Sequence, residues 1–264
     1  MAGGSVDAMS YVRSADGTQI AYHRIGSGRP VVLVGGALST AASARPLAEA
    51  FAAAGLQGTC WDRRGRGKSG DTAPYAPERE VEDRRAVVDA VSGDAVVLGH
   101  SAGAVLALIA AGAGVPMTHL FVSEPPLRFG YDEPPADLAE RLQTLVGQGQ
   151  QAAAVATFQR ENVRLSEPMI DRLRAGPEFA GMVPLAQTTV YDTLLIASVS
   201  TPTPAMLATS VPTTILRGQP AVPVLVTACD RLAAAMPEAE LVVVPESTTT
   251  RSTRRAPCAR CWPG

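Results

Sequence analysis

Two periodicities run along this chain, and the place where one of them stops is as informative as either. Short apolar runs recur at residues 30–34, 56–61, 95–98, 119–123, 212–216 and 241–244. Between them lie stretches with apolar residues at helical spacing, as with Val81, Val87, Val88 and Val91. Runs this short, with little polar alternation, predict strands buried on both faces. The helical stretches at 45–54, 78–91, 104–111 and 222–236 predict the layers that cover them. Strand alternating with helix predicts a mostly parallel sheet flanked by helices. Ahead of it, residues 11–24 read as an antiparallel hairpin turning at Ala15-Asp16-Gly17. Over residues 125–210 the alternation is lost, leaving helical stretches at 136–146, 152–162 and 167–175 and no strand. The expected organisation is one α/β domain with a helical insertion over about residues 126–210, placed where a lid would sit.

The chemistry concentrates where the run at 95–98 meets Gly99-His100-Ser101-Ala102-Gly103 and a helical run follows directly. A G-x-S-x-G pattern carries meaning only between a strand and a helix, and both flanks are present. Glycine two residues either side of Ser101 lets the chain turn sharply enough to hold the serine in a strained, exposed conformation. The helix that starts behind it aims backbone N–H groups at a developing negative charge. Gly35 and Gly36, at the end of the 30–34 run, let the main chain approach a ligand closely.

Composition narrows the field. With 264 residues and 46% hydrophobic content, the chain can bury a large single core. Net charge is −2 and Lys68 is the only lysine, so a nucleic-acid partner is not expected. No apolar run reaches membrane-spanning length, and residues 1–10 lack a basic segment followed by an apolar one. The expectation is a cytoplasmic protein without membrane contact, acting on a small molecule. Cys60 and Cys229 are expected to be neutral thiols. Cys258 and Cys261 form a C-x-x-C without a βαβ setting, which is no expected redox or metal site. No metal-ligand spacing and no phosphate-cradling loop is visible, so no cofactor is expected.

Taken together, these residues resemble the α/β-hydrolase family. They are similar in particular to small bacterial members with a segment like Asp62-Arg63-Arg64-Gly65-Arg66-Gly67-Lys68-Ser69. The likeness runs from about residue 11 to 246. It implies an eight-stranded sheet, a serine nucleophile and an acid–histidine pair delivered from later loops. By that resemblance Ser101 is the nucleophile, and the N–H groups of Ala37 and Ala102 form the oxyanion hole. Gly35, Gly36, Gly99, His100 and Gly103 support the two turns, and Asp62 with Arg64 braces a loop. The common acid position after the seventh strand is vacant, since residues 217–223 hold no carboxylate. Glu124 is the alternative acid, or else anchors the start of the insertion; Asp192 is a weaker candidate.

The base is missing. A serine hydroxyl is a poor nucleophile at neutral pH without one. The family supplies a histidine shortly after the last strand, yet residues 246–264 contain none. His23, His100 and His119 are the chain's only histidines, and each is expected to be structural. After residue 250 the expected amphipathic helix gives way to an Arg/Pro-rich stretch with no apolar period. A single-base deletion near Ser247 accounts for both departures. With GC-rich codons, reading from the third base of codon 247 can give His-His-Asp-Ala-Val-Asp-Pro-Ala. In that frame the Cys261-Trp262 junction can encode only leucine. The rival reading is a divergent tail on a protein that needs no histidine. The leading expectation is therefore an ester or thioester hydrolase impaired by the lost histidine. The alternatives are a non-hydrolytic relative that binds or rearranges a small apolar ligand, and an interaction protein with a dead pocket.

Overall fold

The computed structural model describes residues 8–91, 94–219 and 221–245. The hairpin is β1 (Ser10–Arg13) and β2 (Gln19–Ile25), antiparallel to each other, with β2 also antiparallel to β4 (Gln57–Trp61). The parallel body adds β3 (Pro30–Val34), β5 (Val96–His100), β6 (His119–Ser123), β7 (Thr213–Gln219) and β8 (Glu240–Pro245). Strand order is β1-β2-β4-β3-β5-β6-β7-β8. This is the α/β-hydrolase fold that the resemblance implies: eight strands, mostly parallel, flanked by helices.

Successive side chains of the buried strands divide between two cores, as the pleat requires. Val32, Val34, Val97, Leu120, Val122 and Ile215 face α2 (Pro77–Val91), α3 (Ala102–Gly112) and α10 (Pro223–Ala235). Val31, Leu33, Val96, Leu98, Phe121 and Leu216 share the opposite cluster with Ala41, Ala48 and Phe51 of α1 (Ala41–Ala53). Helix α1 begins four residues ahead of the expected start at 45. The reason lies far off in sequence: the Asp62 carboxylate accepts the Ala41 N–H at 2.7 Å and caps the helix there.

Between β6 and β7 the chain is helical: α4 (Leu138–Gly147), α5 (Gln151–Glu161), α6 (Glu167–Ala175), α7 (Pro177–Met182), a 3-10 turn at Val183–Leu185, α8 (Gln187–Ser198) and α9 (Pro204–Leu207). The sequence pattern predicts the first three and misses α8. Thr188, Thr189, Val190, Tyr191, Asp192, Thr193, Leu195 and Ile196 of α8 are all buried, so no amphipathic stripe exists to be read. Its threonines satisfy their hydroxyls locally, Thr188 on Leu185 O and Thr193 on Thr189 O, both at 2.7 Å. Leu138, Leu142, Val155, Phe158, Phe179, Val190 and Tyr191 form a third core, against which Ala37, Leu38 and Tyr75 pack. The segment at 247–264, unusual in sequence, lies outside the described residues.

Candidate active site

Strand β5 ends at His100 and α3 begins at Ala102, so Ser101 alone makes the bend. Its backbone sits at φ 53°, ψ −125°, a conformation that L-residues other than glycine rarely hold. Three hydrogen bonds fix it. The Ser101 N–H donates to Ser123 O at 2.9 Å, and Ser101 O accepts from Ala104 N at 2.9 Å and Val105 N at 3.3 Å. The flanking glycines are required by space. A Cβ on Gly99 would stand 2.5 Å from Gly103 O, and one on Gly103 would stand 2.2 Å from Val34 O.

The turn after β3 lies directly over this bend. A Cβ on Gly36 would come within 3.0 Å of Ser101 Cβ and 3.2 Å of His100 O. Among the described residues no acceptor takes the N–H of Ala37 or of Ala102. The two donors expected of an oxyanion hole are thus uncommitted, on either side of the serine.

Glu124 follows the strand residue paired with His100, since His100 stands opposite Ser123 in the β5–β6 register. It too has a left-handed backbone, at φ 49°, and it is 1% exposed. Its N–H donates to Leu216 O at 3.0 Å, and its Oε1 accepts the Gly218 N–H at 3.2 Å. The carboxylate therefore faces β7. Cys229 of α10 lies beside it. Burial, with the Glu124 charge adding to it, pushes that thiol up to about 12, so it is neutral.

None of the three histidines is hydrogen-bonded to Ser101. His23 lies on β2, separated from β5 by β4 and β3. His119 opens β6 at the end of the sheet away from Ser101, with Nε2 2.9 Å from Thr214 Oγ1. His100 turns its ring to β6, Nδ1 3.4 Å from Ser123 Oγ, and burial lowers its pKa to about 4.

The Asp62–Ser69 segment folds into a buried ionic cluster. Asp62 takes the N–H groups of Ala41 and Lys68 at 2.7 and 2.9 Å. Arg63 forms a two-pronged pair with Glu80 at 2.6 and 2.7 Å and stands 2.9 Å from Asp192. Arg64 does the same with Asp83 at 2.7 and 2.8 Å and reaches Asp16 at 3.0 Å. Arg66 meets Asp192 at 2.8 Å. Asp192 is therefore taken up by two arginines, which makes it a tie between α8 and the core and removes it as a partner for an imidazole. Burial drives Glu80 upward, but the charges of Arg63 and Arg66 win and hold it below the usual carboxylate range. For Asp83 burial wins over Arg64, and its pKa is raised. Tyr75 donates to Glu80 at 2.8 Å and stacks on Tyr191 at 4.1 Å. The sequence reading singled out Asp62 and Arg64 and missed Arg63, Arg66, Glu80 and Asp83. Acidic residues on the inner face of α2, three apart, are the signal that three buried arginines had partners waiting.

Arg84, one residue on, is different. It is fully buried; among the described residues its Nε and Nη1 have no hydrogen-bond partner, and Nη2 reaches only Met117 Sδ at 3.5 Å. Burial lowers its pKa to about 9, with the charge of Arg85 adding.

The Ser101 turn between β5 and α3 and the strand order together define a class, and comparison with known proteins agrees. The chain belongs to the alpha/beta hydrolase family, whose model matches residues 18–250. An alpha/beta hydrolase from Sphaerobacter thermophilus is 41% identical, with 91% of this chain and 94% of that one covered and a TM-score of 0.86. At 20% identity, an esterase from Thermogutta terrifontis shares the fold, with 91% of each chain covered and a TM-score of 0.69. So does a thioesterase domain from the curacin biosynthetic pathway, at 18% identity, 94% and 96% coverage and a TM-score of 0.62. Among proteins of curated function none matches. Among the described residues no helix is long and apolar enough to cross a membrane, and no group of three or more His, Cys, Asp or Glu could hold a metal ion.

Proposed function

We propose that this chain is built as a serine hydrolase for carboxylic esters or thioesters, and that it works slowly because its base is missing. The observation that carries the reading is Ser101 at φ 53° with Gly36 stacked over it and two uncommitted amides alongside. Ser101 Oγ attacks the carbonyl carbon, its proton passing to water, and the Ala37 and Ala102 N–H groups receive the oxyanion. The tetrahedral intermediate expels the protonated alcohol or thiol, and water hydrolyses the acyl-enzyme that remains. Glu124 is the acid that would orient an imidazole arriving after β8 and stabilise its protonated form. Esterases and a thioesterase among proteins of the same fold support the substrate class.

The tail reading belongs to the same proposal. Residues 246–264 hold no histidine, and a single-base deletion near Ser247 explains that lack together with the change of character after residue 250. Nucleotide sequence over that codon tests it: a codon ending in A or G, with no apolar period in the shifted frame, removes the idea.

Turnover of a p-nitrophenyl ester tests the whole. The expected result is slow, Ser101-dependent release, because oxyanion stabilisation and binding survive the loss of one triad member. Rapid Ser101-dependent release overturns the missing-base reading. Release unaffected by Ser101→Ala overturns the nucleophile. A ligand-binding role without hydrolysis is favoured by one observation, that no histidine is hydrogen-bonded to Ser101. It predicts that a small apolar ligand protects the chain against unfolding equally well after Ser101→Ala.

A further inference from the structure

We infer that Ser39 is the positioning residue of the oxyanion hole: its hydroxyl turns the Gly36–Ala37 peptide so that the Ala37 N–H faces the reacting carbonyl. The inference rests on the proposed role of Ser101 and adds a residue that neither the family resemblance nor the motif singles out. The Gly36 carbonyl and the Ala37 N–H belong to one planar trans peptide and so point in opposite directions. Ser39 Oγ donates to Gly36 O at 2.7 Å, close to the optimum for such a bond. With that carbonyl held on one side, the N–H is fixed on the other, where no described residue accepts it.

The surroundings are arranged for this contact. A Cβ on Gly35 would stand 2.5 Å from Ser39 Oγ, so glycine at 35 makes room for the hydroxyl. Leu38 adopts φ 55°, the left-handed step that folds Ser39 back over the turn. The preceding carbonyl, Gly35 O, is held as well, by Arg63 Nη1 at 3.4 Å. Two successive carbonyls are thus secured, one by a hydroxyl of the turn and one by the buried arginine cluster.

The experiment follows covalent labelling of the full chain by an alkyl fluorophosphonate. The Ser101 Oγ–P bond forms, the P–F bond breaks, fluoride leaves and the hydroxyl proton passes to water. The phosphoryl oxygen occupies the place of the oxyanion. Ser39→Ala should slow the second-order labelling rate by about tenfold or more, since a misaimed donor loses much of its value. Ser39→Thr, which keeps the hydroxyl, should restore the rate to within about threefold of the parent. The Tm of the alanine variant should stay within a few degrees of the parent. Labelling of Ser39→Ala at the parental rate overturns the inference alone. So does an alanine loss that threonine does not relieve at unchanged Tm. A parent chain that takes no label at Ser101 overturns the nucleophile proposal, and the inference with it.

Discussion

The two sides of the sheet's carboxyl edge are finished to different degrees. On the β3–β5 side the turns around Ser101 are held by short contacts: Ser101 by Ser123 O, Gly36 by Ser39, and Asp62 across two N–H groups. On the β7–β8 side Glu124 is buried and takes the Gly218 N–H, and the sequence beyond β8 holds no histidine. Under the proposed function, positioning of the electrophile and activation of the nucleophile are separable tasks assigned to separate stretches of chain. One can persist in full when the other is lost.

The largest test is to supply the absent half. Reading the tail from the third base of codon 247 should raise kcat for a p-nitrophenyl ester by about 10⁴-fold or more, approaching the ~10⁶ that loss of a catalytic histidine can cost. An unchanged rate would break the comparison. In that restored chain, Glu124→Gln should lower kcat by about 10⁴ with little change in KM, as expected of an acid that sets an imidazole's tautomer. Equal loss in kcat/KM and stability would recast Glu124 as a purely structural anchor.

The next two tests concern scaffolding. Asp192→Ala leaves Arg63 and Arg66 facing each other in the interior and should cost about 3–5 kcal/mol in urea unfolding. Removing Asp230, half-exposed beside Arg217, should cost under about 1 kcal/mol. Arg84→Met should work the other way. That arginine is as buried as Arg64, yet among the described residues no carboxylate meets it, and its apolar replacement should stabilise the chain by about 1 kcal/mol or more.

A further effect is in pH. His100 is held neutral, with its pKa depressed from 6.5 to about 4. A buried neutral imidazole contributes stability that is whole above the unfolded pKa. Between about 6.5 and 4 the unfolded chain binds the proton more readily, so stability should fall over that window. Urea midpoints at pH 7 and pH 5 measure this, and His100→Asn should flatten the difference.

What could be read in the sequence divides along physical lines. The strands of the parallel body were legible as short apolar runs, buried on both faces except at β8, the edge strand. The turn at Ser101 was legible because steric need writes glycine at 99 and 103. Helix α8 was not, because its exposed positions include Leu194 and Ala197 while its buried ones include Thr188, Thr189, Asp192 and Thr193, which reverses the usual pattern. The start of α1 was missed because its cap, Asp62, comes from another strand. Ser39 was invisible for a subtler reason: a hydroxyl bonding a carbonyl three residues back resembles any ordinary turn serine. Its importance comes from where the other end of that peptide points.

Asp192 carries one more implication. Because it fastens α8 to Arg63 and Arg66 in the interior, any opening of the helical insertion must hinge before Gln187. Under the proposed function, a doorway for substrate would then be bounded by α4 to α7, with α8 as the stationary lintel. Selectivity for the size of an acyl chain should therefore change with substitutions in those four helices, and respond little to substitutions along α8.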